Sequence, residues 1–181
     1  YTLSLHDALP IWLMPGMGLN AQAATAYGSY LVTSDDTSST LSDKVVQFNN
    51  IDWYIIADDS SAADVGTVTL LAKEWIGESS FRPADTGNQY SDSTVKEYLD
   101  GLTATGGDFA GVADAIMAVN LTDITPNVTD AKLWLLSASE AGNLPMSLRK
   151  LEVREYWWLR TPGNNSTNAS VVSNFSGTVD T

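Results

Sequence analysis

Strand-forming segments lie at both ends of the patterned part of this chain, and helix-forming segments lie between them. The outer segments are rich in β-branched and aromatic residues, whereas the central ones carry apolar residues at helical spacing. Helices grouped between strands, rather than alternating with them, are typical of an α+β domain with antiparallel sheets. We therefore predict that fold class, with two central helices. The predicted strands are residues 44–49, 51–57, 67–73, 132–137 and 169–175, and the predicted helices are residues 91–102 and 109–119.

Turn and cap residues mark where several of these elements meet. Asn49-Asn50 separates the first two predicted strands and is a turn signal for a hairpin. Ser93 and Asp92 are both suited to cap the first helix, and Gly101 is suited to end it. The apolar positions of the best-patterned elements predict the core. These positions are Trp53, Ile55, Leu70, Leu99, Ile116, Leu133, Leu135 and Trp157.

The N-terminal residues carry signals unlike those of the domain. Residues 1–11 (YTLSLHDALPI) closely resemble a translated sequencing-adapter remnant, and we interpret them as an artefact rather than as a genuine apolar segment. Residues 12–23 follow with an apolar stretch and an A-x-A pattern, which is typical of the end of a secretory signal peptide. We therefore expect a protein that is secreted or held at the cell surface. Residues 24–43 are then a linker or edge segment, and residues 44–181 form a single domain.

The net charge and the residue inventory exclude several functions. The chain has 9 Lys and Arg against 22 Asp and Glu, a net charge of −13, which opposes binding to nucleic acid and docking on an anionic membrane. No apolar run is long enough for a spanning helix, so no membrane insertion is expected. The chain has no Cys, and its only histidine, His6, lies in the suspected artefact. We therefore expect no disulfide, no thiol chemistry, no histidine base and no zinc site of His and Cys.

Carboxylates remain for metal binding or acid–base catalysis. Asp58, Asp59 and Asp64 share one loop without the calcium pattern D-x-[DN]-x-[DN]-G, so we interpret it as a solvated loop and predict no metal or cofactor. A carboxylate pair could hydrolyse a glycan, but the sequence pairs none of them and we predict no catalytic residue. Glu97 and Glu140 also fit simpler roles, on the solvent face of one helix and in the first turn of a short helix opened by residues 139–141. The carboxylate candidates are Glu74, Glu78, Glu97, Glu140, Glu152 and Glu155.

The most distinctive block is YWWLRTPG, near the C-terminus. In a strand, Trp157 and Leu159 face one side, and Trp158 and Arg160 face the other. The second side would present an aromatic ring and a guanidinium together, which suits stacking on a sugar. The alternative, which we favour, is that both Trp side chains pack and that Arg160 pairs with a buried carboxylate or with backbone carbonyls. If a ligand binds here, the predicted contacts are Trp158, Arg160, Asn164 and Asn165.

Several segments resemble, in order, the bacterial family called domain of unknown function 6273. They are FNNIDWYII, TVTLLAK, DSTVKEYLDGL, DAKLWLLSASEA and WWLRTPG, of which LWLLSASEA and WWLRTPG are the most specific. The resemblance covers about residues 45–180 and implies an exported protein of an anaerobic gut bacterium. Members continue with a further strand, which implies a domain that is truncated at its C-terminus. The WWLRTPG block is also similar to the C-terminal half of C-type-lectin-like folds.

These observations together predict an extracellular module that binds a carbohydrate or another cell-surface ligand. Export, acidity and the lack of catalytic Cys and His favour binding over catalysis. The alternative function is a carboxylate-dependent hydrolase of glycans. Two close carboxylates in a concave pocket near Trp158 would favour the enzyme, and an aromatic platform without such a pair would favour the binding module.

Overall fold

The computed structural model describes residues 29–58, 67–82, 87–150 and 156–181, together with the backbone of two short strands near the N-terminus. It confirms an α+β fold with antiparallel sheets. The strands are β1 (Ser4–Leu5), β2 (Trp12–Leu13), β3 (Val45–Phe48), β4 (Ile51–Asp58), β5 (Val68–Ala72), β6 (Gly77–Glu78), β7 (Ile116–Met117), β8 (Val119–Leu121), β9 (Val128–Ala131), β10 (Tyr156–Pro162), β11 (Ala169–Ser173) and β12 (Val179–Asp180). The α-helices are α1 (Ser38–Leu41), α2 (Thr94–Thr103), α3 (Ala138–Asn143) and α4 (Met146–Arg149), and 3-10 turns lie at Ser42–Lys44, Tyr90–Asp92 and Ala110–Ala115.

The predicted hairpin opens a five-stranded sheet of order β3-β4-β5-β2-β7. β3 and β4 pair in register up to Phe48 opposite Ile51. Asn49 and Asn50, at the turn between them, have φ angles of 51° and 60°. Two positive φ angles in a two-residue loop are typical of a type I′ turn, whose twist matches that of the flanking strands. The turn signal in the sequence therefore predicted this connection correctly.

The first predicted helix is α2, and its N-cap is one of the two that the sequence offered. Ser93 Oγ accepts a hydrogen bond from the Lys96 backbone N–H at 3.2 Å. The helix continues past Gly101 to Thr103, so Gly101 does not end it as predicted. A glycine inside a helix costs only about 1 kcal/mol, and the helix ends after Thr103, where Ala104 is already extended with φ −74° and ψ 167°. Val95, Leu99 and Leu102, which recur at helical spacing, are the buried residues of this helix.

The second predicted helix is wrong in type and length. Its first part is the 3-10 turn Ala110–Ala115, and its second part enters the short strands β7 and β8. The segment has no side-chain hydrogen bond at its N-terminus, and it contains Gly111. Its apolar stripe also consists of Val and Ile, which favour strands. Helical spacing therefore identified a buried residue, Ile116, but not the element that holds it.

Residues 132–137 are largely buried as predicted, but they do not form the predicted strand. Strand β9 ends just before them, at Ala131. The Leu136 carbonyl accepts from the Arg160 backbone N–H at 2.9 Å, and the Leu135 carbonyl accepts from the Arg160 side chain at 2.8 Å. The Leu136 carbonyl is therefore satisfied by the backbone of β10 and the Leu135 carbonyl by a side chain, without the repeated pairing of a strand ladder. A run of apolar residues indicates burial, but it does not say which group takes the backbone hydrogen bonds.

Two apolar clusters form the core of the described residues. All eight predicted core residues are buried. The first cluster joins the five-stranded sheet to α2. It contains the seven predicted core residues that precede β10, among them Trp53, Leu99 and Leu135. Trp157 belongs to the second cluster, in which the sheet β10-β11-β12 packs on α3 and α4.

The segment predicted as a linker or edge makes both an edge contact and a helix. Leu31 forms an isolated parallel bridge with Ile55, and α1 follows seven residues later. Asp36 organises this segment, because its carboxylate accepts from the Thr33 backbone N–H at 2.7 Å, from Lys44 Nζ at 2.7 Å and from Thr40 Oγ1 at 2.9 Å. Burial by itself raises the pKa of Asp36, but the hydrogen bonds from Lys44, Thr33 and Thr40 outweigh it and lower the pKa to about 2.

We expect Asp36→Asn to remove part of the acid sensitivity of the fold. A folded-state pKa of about 2, below the ordinary 3.8, stabilises the protein above pH 4, and that stabilisation is lost as pH falls toward 2. The loss is about 1 kcal/mol after allowance for solvent screening. Urea unfolding at pH 6, 4 and 2.5 should therefore show the difference between wild type and variant shrinking with acid. Asp35→Asn, at an exposed neighbour, is the control, and a pH-independent difference for Asp36→Asn would contradict the assignment.

The N-terminal expectations fall mostly outside the described residues. The structure describes only the backbone of β1, which pairs with β6, and of β2, which lies between β5 and β7. The rest of residues 1–28, including the proposed signal-peptide end, is outside the described part of the chain. Two pieces of the segments interpreted as an artefact and a leader are therefore strands of sheets, β2 within the five-stranded sheet and β1 paired with β6.

Deleting residues 1–11 is expected to leave the melting temperature unchanged within error. The only pairing described for this segment joins Ser4–Leu5 to the equally short strand Gly77–Glu78. A two-residue pairing gives little stability compared with the buried clusters. Differential scanning calorimetry of the deleted and full chains measures the effect, and a loss of several degrees would show that β1 belongs to the fold.

Candidate functional site

A cleft of about 710 Å³ opens between the N-terminal segment, the β8–β9 connection and α3. Its apolar lining includes Val32, Leu144 and Pro145, and its polar lining includes the amide of Asn143 and the hydroxyl of Ser139. A mostly apolar concavity with a few convergent polar groups is the usual form of a small-molecule site. This is the candidate site, and Arg160 lies among its lining residues.

Arg160 is buried, with 4% of its surface exposed, and every N–H of its guanidinium has a protein partner. Nε donates to Asp123 Oδ1 at 3.0 Å and also contacts Oδ2 at 3.1 Å. Nη1 donates to the Leu135 carbonyl at 2.8 Å and to Glu140 Oε2 at 2.6 Å. Nη2 donates to Asp123 Oδ2 at 2.8 Å and to Glu140 Oε1 at 3.0 Å. Because a guanidinium has five N–H groups, none is left for a ligand.

The electrostatics of this group of three side chains follow from its composition. Burial by itself lowers the pKa of Arg160, but the hydrogen bonds to Glu140 and Asp123 outweigh it and raise the pKa above the ordinary value. The guanidinium therefore stays charged. One positive and two negative charges leave the cluster with a net charge of −1, and the Asp123 and Glu140 side chains are 42% and 45% exposed.

Local sequence explains how two of the three side chains reach this point. Alternation along β10 turns Trp157 and Leu159 into the second core cluster, which leaves Arg160 on the opposite side. Ser137 caps α3, because its Oγ accepts from the Glu140 backbone N–H at 3.1 Å and the Ser137 N–H donates to Glu140 Oε2 at 2.7 Å. Glu140 is thus the first-turn helix residue that the sequence predicted, and the same carboxylate also binds Arg160.

The four predicted ligand residues are not brought together. Arg160 lies in the cleft, whereas Trp158 packs its ring on Phe81 at a centroid distance of 5.3 Å and donates to the Ser79 carbonyl at 3.3 Å. Asn164 and Asn165 lie in an exposed loop, where the Asn164 amide donates to the Thr181 carbonyl and Asn165 Oδ1 accepts from Thr167. The alternation of Trp158 and Arg160 is as predicted, but the sugar-stacking arrangement of ring and guanidinium is not observed.

Two residues of the cleft were missed by sequence reasoning. Asp123 lies in the connection between β8 and β9, and nothing in the sequence around it marks it as a partner of Arg160. Trp134 lines the cleft with 4% of its surface exposed, and its indole N–H donates to no group among the described residues. The indole nitrogen itself keeps contact with solvent, so this donor can also bind a ligand.

The other carboxylate candidates that the structure describes are not part of the cleft. Glu74, Glu78 and Glu97 are exposed and are absent from its described lining. Glu152 and Glu155, and Asp59 and Asp64 of the acidic loop, lie outside the described residues. Within the part of the chain that the structure describes, no three His, Cys, Asp or Glu side chains converge as metal ligands would. None of the helices described there has the length and apolar character needed to cross a bilayer.

Comparisons of the chain with protein-family models, with curated proteins and with solved structures found no match. The family resemblance and the lectin-like resemblance therefore depend on the sequence motifs alone.

Proposed function

We propose that this chain is a binding module of an exported bacterial protein and that it holds a carbohydrate in the cleft beside Arg160. The observation that carries the proposal is the complete use of the Arg160 donors by Asp123, Glu140 and the Leu135 carbonyl. The guanidinium positions the two carboxylates. The groups that remain for a ligand are the carboxylate lone pairs that do not bind Arg160. Carboxylates accept hydrogen bonds, so the preferred ligand is one rich in hydroxyl donors.

The remaining lining supports a sugar. The Asn143 amide and the Ser139 hydroxyl can both donate and accept, as the hydroxyl groups of a sugar require. Val32, Leu144 and Pro145 provide an apolar wall for the C–H faces of a sugar ring. The volume of about 710 Å³ is within the range of small-ligand pockets.

A glycan hydrolase is the second candidate, because Asp123 and Glu140 form a carboxylate pair in a concave site. Both lie within 3.0 Å of the same atom, Arg160 Nη2. Glycoside hydrolysis, however, needs one carboxyl group that holds a proton for the leaving oxygen. Both carboxylates here are instead acceptors of hydrogen bonds from one guanidinium. Trp158 is also absent from the described lining. Binding is therefore the better-supported function.

Asn143→Trp is expected to abolish glycan binding while leaving the fold intact. Asn143 is exposed at the cleft, so an indole there fills the site without disturbing the core. We expect at least a tenfold loss of affinity, about 1.4 kcal/mol, by isothermal titration with the glycans that bind wild type in an array. The matched control is Asn168→Trp, an exposed position in the Asn-rich loop.

The two variants also separate the competing sites and functions. If Asn168→Trp loses binding and Asn143→Trp keeps it, the ligand occupies the loop near Asn164 and Asn165, and the cleft proposal is wrong. Release of shorter oligosaccharides by wild type, abolished in Asn143→Trp, would instead identify a hydrolase.

A further inference from the structure

We propose that the ligand is an amino sugar, held by its protonated amine at Asp123 and Glu140; this inference rests on the proposed carbohydrate-binding function. Arg160 is the only cationic side chain among the described lining residues. Its charge is shared by two carboxylates, so the cleft keeps an uncompensated charge of −1. A neutral sugar would leave that charge unpaired, whereas an ammonium group would neutralise it.

The carboxylate oxygens have capacity for such a group. Asp123 Oδ1 accepts only from Arg160 Nε, and Glu140 Oε1 accepts only from Arg160 Nη2, among the hydrogen bonds of the described residues. Each oxygen therefore keeps a lone pair, and both side chains are partly exposed. The two carboxylates are adjacent, because they flank one guanidinium nitrogen. An ammonium group has three donors and can bond to both of them.

A second, independent observation distinguishes an amino sugar from a simple amine. Trp134 is 4% exposed and lines the same cleft. Its indole N–H has no hydrogen-bond partner among the described residues. This donor keeps contact with solvent and can take an acceptor from a ligand, which an alkyl ammonium ion does not have. A ring hydroxyl or ring oxygen provides one. The carboxylates can bind a cation, and the indole N–H can donate to an oxygen. A sugar that carries an amine provides both groups.

Three tetrasaccharides with the same β-1,4 backbone test the inference. They carry at C2 an amine (glucosamine), an acetamide (N-acetylglucosamine) or a hydroxyl (cellotetraose). We expect the full chain to bind the glucosamine tetramer about tenfold more tightly than the other two, a difference typical of one charge-assisted contact. This preference should shrink as salt is raised, and also as pH rises and the amine loses its proton.

Two variants assign the contacts. Asp123→Asn should remove most of the preference for the amine, measured as the ratio of the affinities for the glucosamine tetramer and for cellotetraose. Asp130→Asn, at an exposed position outside the cleft, should change neither that ratio nor the affinities themselves. Trp134→Phe should weaken all three tetramers by a similar factor, because the acceptor it serves is common to them. Near-ultraviolet circular dichroism checks that each variant is folded. If Asp123→Asn does not fold, the salt and pH series on wild type still decide the question.

The possible failures are distinguishable. Equal affinity for the three tetramers, or a preference that does not respond to salt, would overturn the amino-sugar inference and leave carbohydrate binding in place. A preference that survives in folded Asp123→Asn would overturn the assigned contact. If no tetramer binds but a neutral glycan from the array does, this inference alone fails. If no glycan binds at all, the proposed function fails with it.

Discussion

Leu135→Ala is expected to lower the free energy of unfolding by about 2–5 kcal/mol, the cost typical of truncating a fully buried Leu. Leu135 is 0% exposed and belongs to the cluster between the five-stranded sheet and α2. The segment that carries it is held by Arg160 through its carbonyl groups, so the chain around it cannot move in to fill the space easily. A residual cavity is therefore expected, and the loss should lie in the upper half of that range.

Urea denaturation followed by tryptophan fluorescence measures this change. Phe175→Ala is the matched control, because it also truncates a large apolar side chain but at a position 93% exposed. That control should change stability by less than about 0.5 kcal/mol. A change of the same small size for Leu135→Ala would mean that the packing of residues 132–137 is wrong.

Local signals explain which parts of the fold could be predicted. The β3–β4 hairpin could be predicted from Asn49 and Asn50 and from the strand-forming residues on either side of them. The Ser93 cap of α2 likewise depends on neighbours within one turn. The core list succeeded for a different reason, since burial follows from apolar character at any element type. Those predictions required no knowledge of distant partners.

The errors arise where a distant group takes part. Residues 132–137 look like a strand because they are apolar, yet their carbonyls bond to Arg160, more than twenty residues away. The sequence does not show that the Leu136 carbonyl will bond to the backbone of β10 and the Leu135 carbonyl to an arginine side chain. The segment 109–119 failed for the opposite reason, because its helical spacing is short and is shared by a 3-10 turn followed by strands.

The candidate site could be predicted only in part. The preference for a structural Arg160, paired with a carboxylate or with carbonyls, agrees with the observed contacts. Glu140 could be placed by its helix position, but its approach to Arg160 could not. Asp123 lies 37 residues from Arg160 in the chain and has no motif of its own. The sequence predicts a strand around Trp134, and its place in the cleft follows only from the fold.

Arg160→Lys is expected to destabilise the protein by about 2–3 kcal/mol, even though it keeps the positive charge. A lysine ammonium is one nitrogen with three donors, whereas the guanidinium uses five N–H groups spread over three nitrogens. The lysine cannot reach both carboxylates and the Leu135 carbonyl at once. A buried carbonyl that loses its partner costs about 1–3 kcal/mol. The carboxylates are partly exposed, so water recovers some of their loss.

The matched control for this prediction is Arg149→Lys. Arg149 donates one hydrogen bond, from Nη1 to the Gly177 carbonyl at 2.9 Å, which a lysine can replace, so its effect should stay below about 1 kcal/mol. Urea unfolding and glycan titration on both variants then separate two roles for Arg160. Since Arg160 positions the two carboxylates without touching a ligand, Arg160→Lys must lose stability, and its glycan binding should fall with the displaced carboxylates. If Arg160→Lys keeps wild-type stability and still loses binding, the guanidinium itself contacts the ligand. That result would contradict the assignment of all five of its N–H groups to protein acceptors.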